Sequence, residues 1–119
     1  MEVLDREHLL HNVDGDRALL EEIVRLFFDS SVPILESVRA AVTRADADTL
    51  HKSAHQLKGA LANVGAKAAA AAANELESLG RRGTMTGLEQ ALATLETELE
   101  RLTPCLERLL NEPTAPIEP

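Results

Sequence analysis

Apolar residues in the middle of the chain recur at the spacing of an amphipathic helix. Between positions 50 and 64 they return at alternating intervals of four and three: Leu50, Ala54, Leu57, Leu61 and Val64. This periodicity puts them on one face of a helix. A second stripe lies about 110° around the same helix and consists of His51, His55, Lys58 and Ala62. The pattern predicts a helix with a buried face and a histidine-bearing shoulder.

Aspartate is a preferred N-cap residue, and one precedes each of three predicted helices. These aspartates are Asp5, Asp16, and Asp46 or Asp48. The first caps a short helix over residues 6–11. The second opens a long helix that reaches about Arg44, and the third opens the helix that carries His55. Gly65 is in the usual place for the left-handed residue that closes that helix.

The second half of the chain predicts two more helices. Six consecutive alanines at 68–73 favour a helix over residues 66–79, which the glycine-rich stretch 80–83 should break. Leucines spaced four and three apart predict a last helix over about 86–110, and they are Leu88, Leu92, Leu95, Leu99, Leu102, Leu106 and Leu109. Pro104 should bend or interrupt this helix, and Pro33 should kink the long one.

These elements predict an all-α fold, an antiparallel four-helix bundle with a short additional N-terminal helix. The bundle should form one domain over residues 1–110, since 119 residues suffice for one domain and not two. Residues 111–119 contain three prolines and should form a disordered tail or a linker.

Composition narrows the class of partner and the compartment. A net charge of −8 argues against nucleic acid and against an anionic membrane surface. No apolar run approaches the length of a membrane span, and the first residues lack the pattern of a signal peptide. The single cysteine, Cys105, cannot form an internal disulfide. These features favour a cytoplasmic protein.

Gly59 is an unusual residue for the middle of a helix, where glycine costs about 1 kcal/mol relative to alanine. It follows His55 by one turn, so it removes the side chain that would crowd the imidazole. The alternative is that Gly59 allows a neighbouring helix to approach closely.

The stretch Ala54-His55-Gln56-Leu57-Lys58-Gly59, followed by Val64-Gly65-Ala66, resembles the histidine phosphotransfer (HPt) domains of bacterial multistep phosphorelays. The family core is His-x-Leu-Lys-Gly with a Gly-Ala pair about ten residues after the histidine. The likeness extends from Asp16 to Gly80, over half the chain, and ends in Leu-Glu-x-Leu-Gly.

The resemblance implies that His55 carries a phosphoryl group and that Lys58 and Gly59 support the site. Further residues are candidates for contacts with phosphate or a partner, and they are His51, Gln56, Ala62 and Arg81. For His51 an ordinary surface histidine is the favoured explanation, since the family motif does not require a histidine at that position.

The resemblance also implies the partners, which are response-regulator receiver domains, a sensor histidine kinase, or both. The Mg²⁺ of the reaction would belong to the receiver, and this chain would have no cofactor of its own. It would act as a monomeric phosphocarrier without turnover, either free-standing or cut from a hybrid sensor kinase.

Two other classes of function compete with a phosphocarrier. In a metal-binding helical bundle, Asp5 and His8, Asp48 and His51, or His51 with His55 could supply ligands. Against this, no Glu-x-x-His sequence occurs, and the histidine stripe lies off the apolar face. A structural dimerisation module would explain the leucine repeat of the last helix but leaves Lys58 and Gly59 unexplained.

Overall fold

The computed structural model describes residues 2–84 and 86–111, and within them all regular structure is helical. The five helices are α1 (Arg6–Val13), α2 (Arg17–Arg44), α3 (Ala47–Asn63), α4 (Lys67–Arg82) and α5 (Leu88–Asn111). The all-α prediction is therefore confirmed for this part of the chain. The tail predicted at 111–119 lies outside the described residues, except for Asn111, which ends α5.

The first three helices begin where aspartate caps were expected. Asp5, Asp16 and Asp46 each accept a hydrogen bond from the backbone N–H three residues later, at 3.1–3.2 Å. Each bond satisfies one of the N–H groups that a helix N-terminus leaves without a partner. Of the two aspartates considered for the start of α3, Asp46 is the cap.

Helix α3 lies between α2 and α4, and α5 closes the arrangement by packing on α4 and α2. The short α1 packs on α2. The apolar face predicted for the histidine helix is buried, since Leu50, Ala54, Leu57 and Leu61 are each 0% exposed. This burial fixes the rotation of α3 and therefore decides which of its residues face solvent.

The turn between α3 and α4 is closed by Gly65, which has a positive φ of 74°. The N-terminal segment packs directly against this turn, where the backbone N–H of Asp5 donates to the carbonyl of Gly65 at 2.7 Å. The backbone N–H of Ala68 donates to Glu2 at 2.9 Å. A Cβ at Gly65 would lie 2.8 Å from the Asp5 carbonyl oxygen. Any other residue would therefore be strained by the positive φ and would also collide with the backbone of Asp5.

The predicted end of the fourth helix was wrong. Helix α4 does not break at Gly80 but continues to Arg82, and Gly83 ends it with a positive φ of 69°. Gly80 is a buried interior residue whose missing side chain allows α4 to lie against the backbone of α3. A glycine that ends a helix and a glycine that packs inside one look the same in sequence.

Both prolines lie inside continuous helices, so the interruption considered at Pro104 does not occur. Proline removes one backbone donor, and the carbonyl four residues earlier loses its partner. Pro33 and Pro104 are exposed, as are Asp29 and Glu100, the residues four positions before them. The unpaired carbonyls therefore belong to solvent-facing turns, where water can hydrate them.

None of the helices in residues 2–84 and 86–111 is long and apolar enough to cross a membrane.

Candidate functional site

His55 is an exposed member of the histidine stripe, whereas His51 and Lys58 are half-buried. Its side chain is 65% exposed, while Ala54 and Leu57 beside it are buried. The imidazole therefore lies at the edge of α3 that faces α4, supported by the core but open to another molecule.

A buried carboxylate that sequence reasoning missed lies directly behind this ring. Glu77 of α4 has a side chain only 2% exposed, and its Oε2 lies 3.0 Å from Nδ1 of His55. Buried carboxylates require charged or hydrogen-bonding partners. Glu77 has three, because Lys58 Nζ lies 2.6 Å from its Oε1 and Arg81 donates to its Oε2 at 2.7 Å.

The contacts with Lys58 and His55 favour the ionised form of Glu77. The contact with Lys58 lowers the pKa of Glu77 most, against the burial that raises it, and the hydrogen bond with His55 lowers the pKa further. Because an ionised carboxylate only accepts hydrogen bonds, the proton in its bond with His55 belongs to Nδ1 of the ring. In the neutral imidazole, Nε2 then carries the free lone pair.

Lys58 and Arg81 bring two positive charges to the same site. Lys58 comes from α3, one turn beyond His55, and its Nζ also donates to Asn74 Oδ1 at 3.4 Å. Arg81 comes from α4, one turn beyond Glu77, and its side chain is 60% exposed. Both cations are near His55 through their shared contact with Glu77.

Gly59 lies on the open side of His55. A Cβ at this position would meet nothing within 4 Å, so the close packing considered for Gly59 is not present. A longer side chain there would project into solvent beside the imidazole.

The other predicted site residues are not all in the same cluster. Gln56 and Ala62 are exposed residues of α3, and neither forms a hydrogen bond or an ion pair with the His55 ring in the described residues. His51 is half-buried, its Nδ1 has no hydrogen-bond partner, and its backbone lies against Gly80. In the described residues, Glu77 links His55, Lys58 and Arg81.

The signal for Glu77 was its position within an otherwise apolar face. It lies four residues after Ala73 and three before Gly80, and both of these residues are buried. A carboxylate in that register has to meet cations or hydrogen-bond donors, but the sequence alone does not identify them.

An open, mainly apolar groove of about 340 Å³ lies between α2 and α3. Ala60 and Asn63 line it from α3, one to two turns beyond His55. The α2 wall includes Leu26, whose side chain is 64% exposed although most large apolar residues are buried.

Metal ligands do not converge in the described part of the chain. Among residues 2–84 and 86–111, no group of three or more His, Cys, Asp or Glu side chains is placed to hold a metal ion. The metal-binding alternative therefore has no support from this structure.

Comparison with known proteins identifies a family and a similar fold. The sequence model of the Hpt domain matches residues 22–104. The fold is similar to the crystal structure of histidine-containing phosphotransfer protein B (HptB) from Pseudomonas aeruginosa PAO1, with a TM-score of 0.84 and 26% sequence identity over 91% of this chain and 94% of that chain. No curated protein sequence matches the chain significantly.

The chain belongs to the Hpt domain family, since the family match covers well over half of it. Its function is histidine phosphotransfer in a phosphorelay, and the family resemblance read from residues 54–66 is confirmed.

Proposed function

We propose that His55 is the phosphorylated residue and that its Nε2 is the atom that carries the phosphoryl group. The observation that supports this most directly is the pairing of an exposed ring with a buried carboxylate on Nδ1. The carboxylate leaves Nε2 unprotonated and outward, and the open space at Gly59 gives a partner access to it.

In the proposed reaction, the Nε2 lone pair attacks the phosphorus of a receiver aspartyl phosphate. The Nε2–P bond forms while the P–O bond to the aspartate breaks, and the aspartate leaves as a carboxylate. The ring keeps its Nδ1 proton and becomes a positively charged phosphoimidazole, which Glu77 stabilises as a carboxylate stabilises an imidazolium in a Ser-His-Asp triad. Transfer to a second receiver aspartate reverses these steps.

The site residues of this chain act by positioning and by charge. Positioning and electrostatic stabilisation account for most of catalysis in phosphoryl transfer. Lys58 and Arg81 can move from Glu77 toward the phosphoryl oxygens, since each has a flexible side chain at the rim of the site. Mg²⁺ would be held by the acidic pocket of the receiver, and we assign no cofactor and no independent turnover to this chain.

The groove between α2 and α3 supports a docking surface for the receiver next to His55. Its exposed leucine, Leu26, offers an apolar contact of the kind that a transient interface buries at its centre. We place the partner's active pocket over His55, with His51, Gln56 and Ala62 at the margins of the contact.

The remaining assignments follow from the family. We propose that the four long helices form an antiparallel bundle, because they are joined by short connections and contact one another in a closed ring. The protein would act as a monomer in the cytoplasm, with receiver domains, a sensor histidine kinase, or both as partners.

Replacing His55 by glutamine tests the assignment. The His55→Gln variant should lose all labelling from a phosphorylated receiver while its helix content, measured by circular dichroism, stays at the parent value. His51→Gln is the matched control, since this histidine is one turn away on the same helix, and it should still be labelled. Full labelling of the His55 variant, or loss of labelling in a folded His51 variant, would overturn the assignment.

A further inference from the structure

We propose that Gly80 is a positioning residue for phosphotransfer, because it sets the separation of α3 and α4 at which Glu77 contacts His55. This inference rests on the proposed role of His55. It concerns a residue that lies outside the charged cluster and touches none of the reacting atoms.

Gly80 is where the two helices meet at their backbones. A Cβ on Gly80 would lie 2.7 Å from the backbone nitrogen of His51, 3.0 Å from the carbonyl oxygen of Ala47 and 3.1 Å from the Cα of His51. All three atoms are backbone, so no change of side-chain rotamer could make room. Any other residue must push the helices apart.

The contact at Gly80 is one helical turn from the site on both helices. His55 follows His51 by four residues on α3, and Glu77 precedes Gly80 by three residues on α4. Residues three or four apart lie on the same face of a helix. Along the interface of α3 and α4, the backbone contact between Gly80 and His51 therefore lies one turn from the hydrogen bond between Glu77 and His55.

The distances indicate that this hydrogen bond would break if α3 and α4 lay farther apart. Ordinary contact for a Cβ begins near 3.4 Å, so alanine at position 80 requires the helices to separate by roughly 0.7 Å. A rigid separation of that size along the line from His55 Nδ1 to Glu77 Oε2, with both side chains kept in their rotamers, would lengthen their 3.0 Å contact to about 3.7 Å. Such a distance is beyond hydrogen bonding, and Nδ1 would lose the partner that keeps its proton.

Gly59 provides the comparison within the same helix pair. A Cβ there would meet nothing within 4 Å, whereas one at Gly80 would meet the backbone of the neighbouring helix. The two glycines therefore serve the same histidine in different ways: one leaves space for the partner, and the other keeps the supporting carboxylate close.

The experiment compares Gly80→Ala with Leu106→Ala, a control that removes a buried side chain of α5, a helix that takes no part in the contact of Gly80 with Ala47 and His51. Two readouts are taken at a temperature where circular dichroism shows each variant folded. The first is the ¹⁵N chemical shifts of the His55 ring, which report which nitrogen is protonated and need no phosphoryl donor. The second is the rate of transfer from a phosphorylated receiver.

We expect Gly80→Ala to lose the preference for a proton on Nδ1 and to transfer about tenfold more slowly or worse, since small misplacements of reacting groups cost rate steeply. Leu106→Ala should melt earlier than the parent yet keep its ring shifts and rate. A folded Gly80→Ala with parent ring shifts and parent rate overturns the inference, and so does a Leu106→Ala variant that loses both.

If Gly80→Ala does not fold in buffer, the same readouts are taken in trimethylamine N-oxide, which favours the compact state. A variant that stays unfolded there shows that Gly80 is required for folding rather than for positioning, and it overturns the inference. Failure of the parent protein to accept phosphate on His55 would instead overturn the proposed function, while the ring shifts would still report on Gly80.

Discussion

At the scale of single residues, the site depends on the contrast between an exposed ring and a buried charge. His55 alone would be an ordinary surface histidine with either nitrogen protonated. Glu77 fixes the proton on Nδ1, its contact with Lys58 does most to lower its own pKa, and Arg81 donates a hydrogen bond to its Oε2. Four side chains from two helices thus define the chemistry of one nitrogen atom.

The open space at Gly59 leads to a prediction about two substitutions. Gly59→Ala should raise the free energy of unfolding by roughly 0.5–1 kcal/mol, since alanine has the better helix propensity. Gly59→Gln should also fold, because no atom lies within 4 Å of the added Cβ. Its longer side chain should slow phosphotransfer steeply by obstructing the partner, whereas alanine should slow it mildly.

Thermal melts and transfer rates on both Gly59 variants check this prediction. The contrary result is a glutamine variant that melts well below the parent and still transfers phosphate at the parent rate. That combination would mean that Gly59 serves packing and not access.

The ionisation of Glu77 predicts how stability responds to acid. Folding lowers the pKa of Glu77 below the 4.5 of a free glutamate, so the folded chain binds fewer protons than the unfolded chain at pH values between the two pKa values. This contribution to stability is fully present above about pH 4.5 and is lost as the pH falls through the pKa of the folded state.

Replacing Glu77 by glutamine should remove that contribution. We expect Glu77→Gln to melt earlier than the parent at neutral pH and to lose less stability between about pH 5 and pH 3, because an amide does not titrate there. Thermal melts across this range measure the difference. Parallel curves for the two proteins would show that Glu77 is not a source of the acid sensitivity.

The sequence could predict the role of a single residue only where that role depends on neighbours in the same helix. His55, Lys58 and Gly59 were predicted as site residues because they lie together on one helix, within a short motif. Glu77 was missed because two of its three partners, His55 and Lys58, are on another helix, and Gly80 was misread because its neighbour is the backbone of α3. Contacts between helices are the information that a single sequence does not contain.

At the scale of elements, helix starts were the most predictable feature. The capping aspartates Asp5, Asp16 and Asp46 each bond to a backbone N–H only three residues further along the chain. Because this interaction is local, the sequence is enough to predict it. The end of α4 was less predictable, since either Gly80 or Gly83 could have closed it. Packing decided between them.

A substitution in helix α2 tests the proposed docking surface. Leu26→Glu introduces a charge into the apolar groove beside α3 and should weaken binding of a receiver domain about tenfold, or 1.4 kcal/mol. Val32→Glu is the matched control, because Val32 is also an exposed apolar residue of α2, 56% accessible, but lies outside the groove. It should bind like the parent.

Titration calorimetry or chemical-shift mapping with a receiver domain measures these affinities. Equal weakening by the two glutamate variants would indicate a general effect of charge and not a docking groove. Shifts confined to α5 would also contradict a surface centred on His55.

At the scale of the whole molecule, the leucine repeat of α5 serves the core, and the distribution of charge distinguishes the site from the rest of the surface. The leucine repeat of α5 is used inside the fold, where Leu95, Leu102 and Leu106 are almost completely buried against the rest of the chain. Dimerisation through this repeat would require those leucines to leave the core. The net charge of −8 leaves the surface acidic, while two of the cations are gathered around Glu77 next to His55.

The attachment of the N-terminal segment to the turn after α3 has a practical consequence for protein engineering. The family match begins at residue 22, so a fragment cut at that boundary would lack the residues whose backbone bonds to Gly65 and Ala68. It would also lack Asp5 and Glu2, the carboxylates that pair with Lys67. Anyone grafting this module into a synthetic signalling protein should therefore carry residues 2–21 with it and attach the fusion before them.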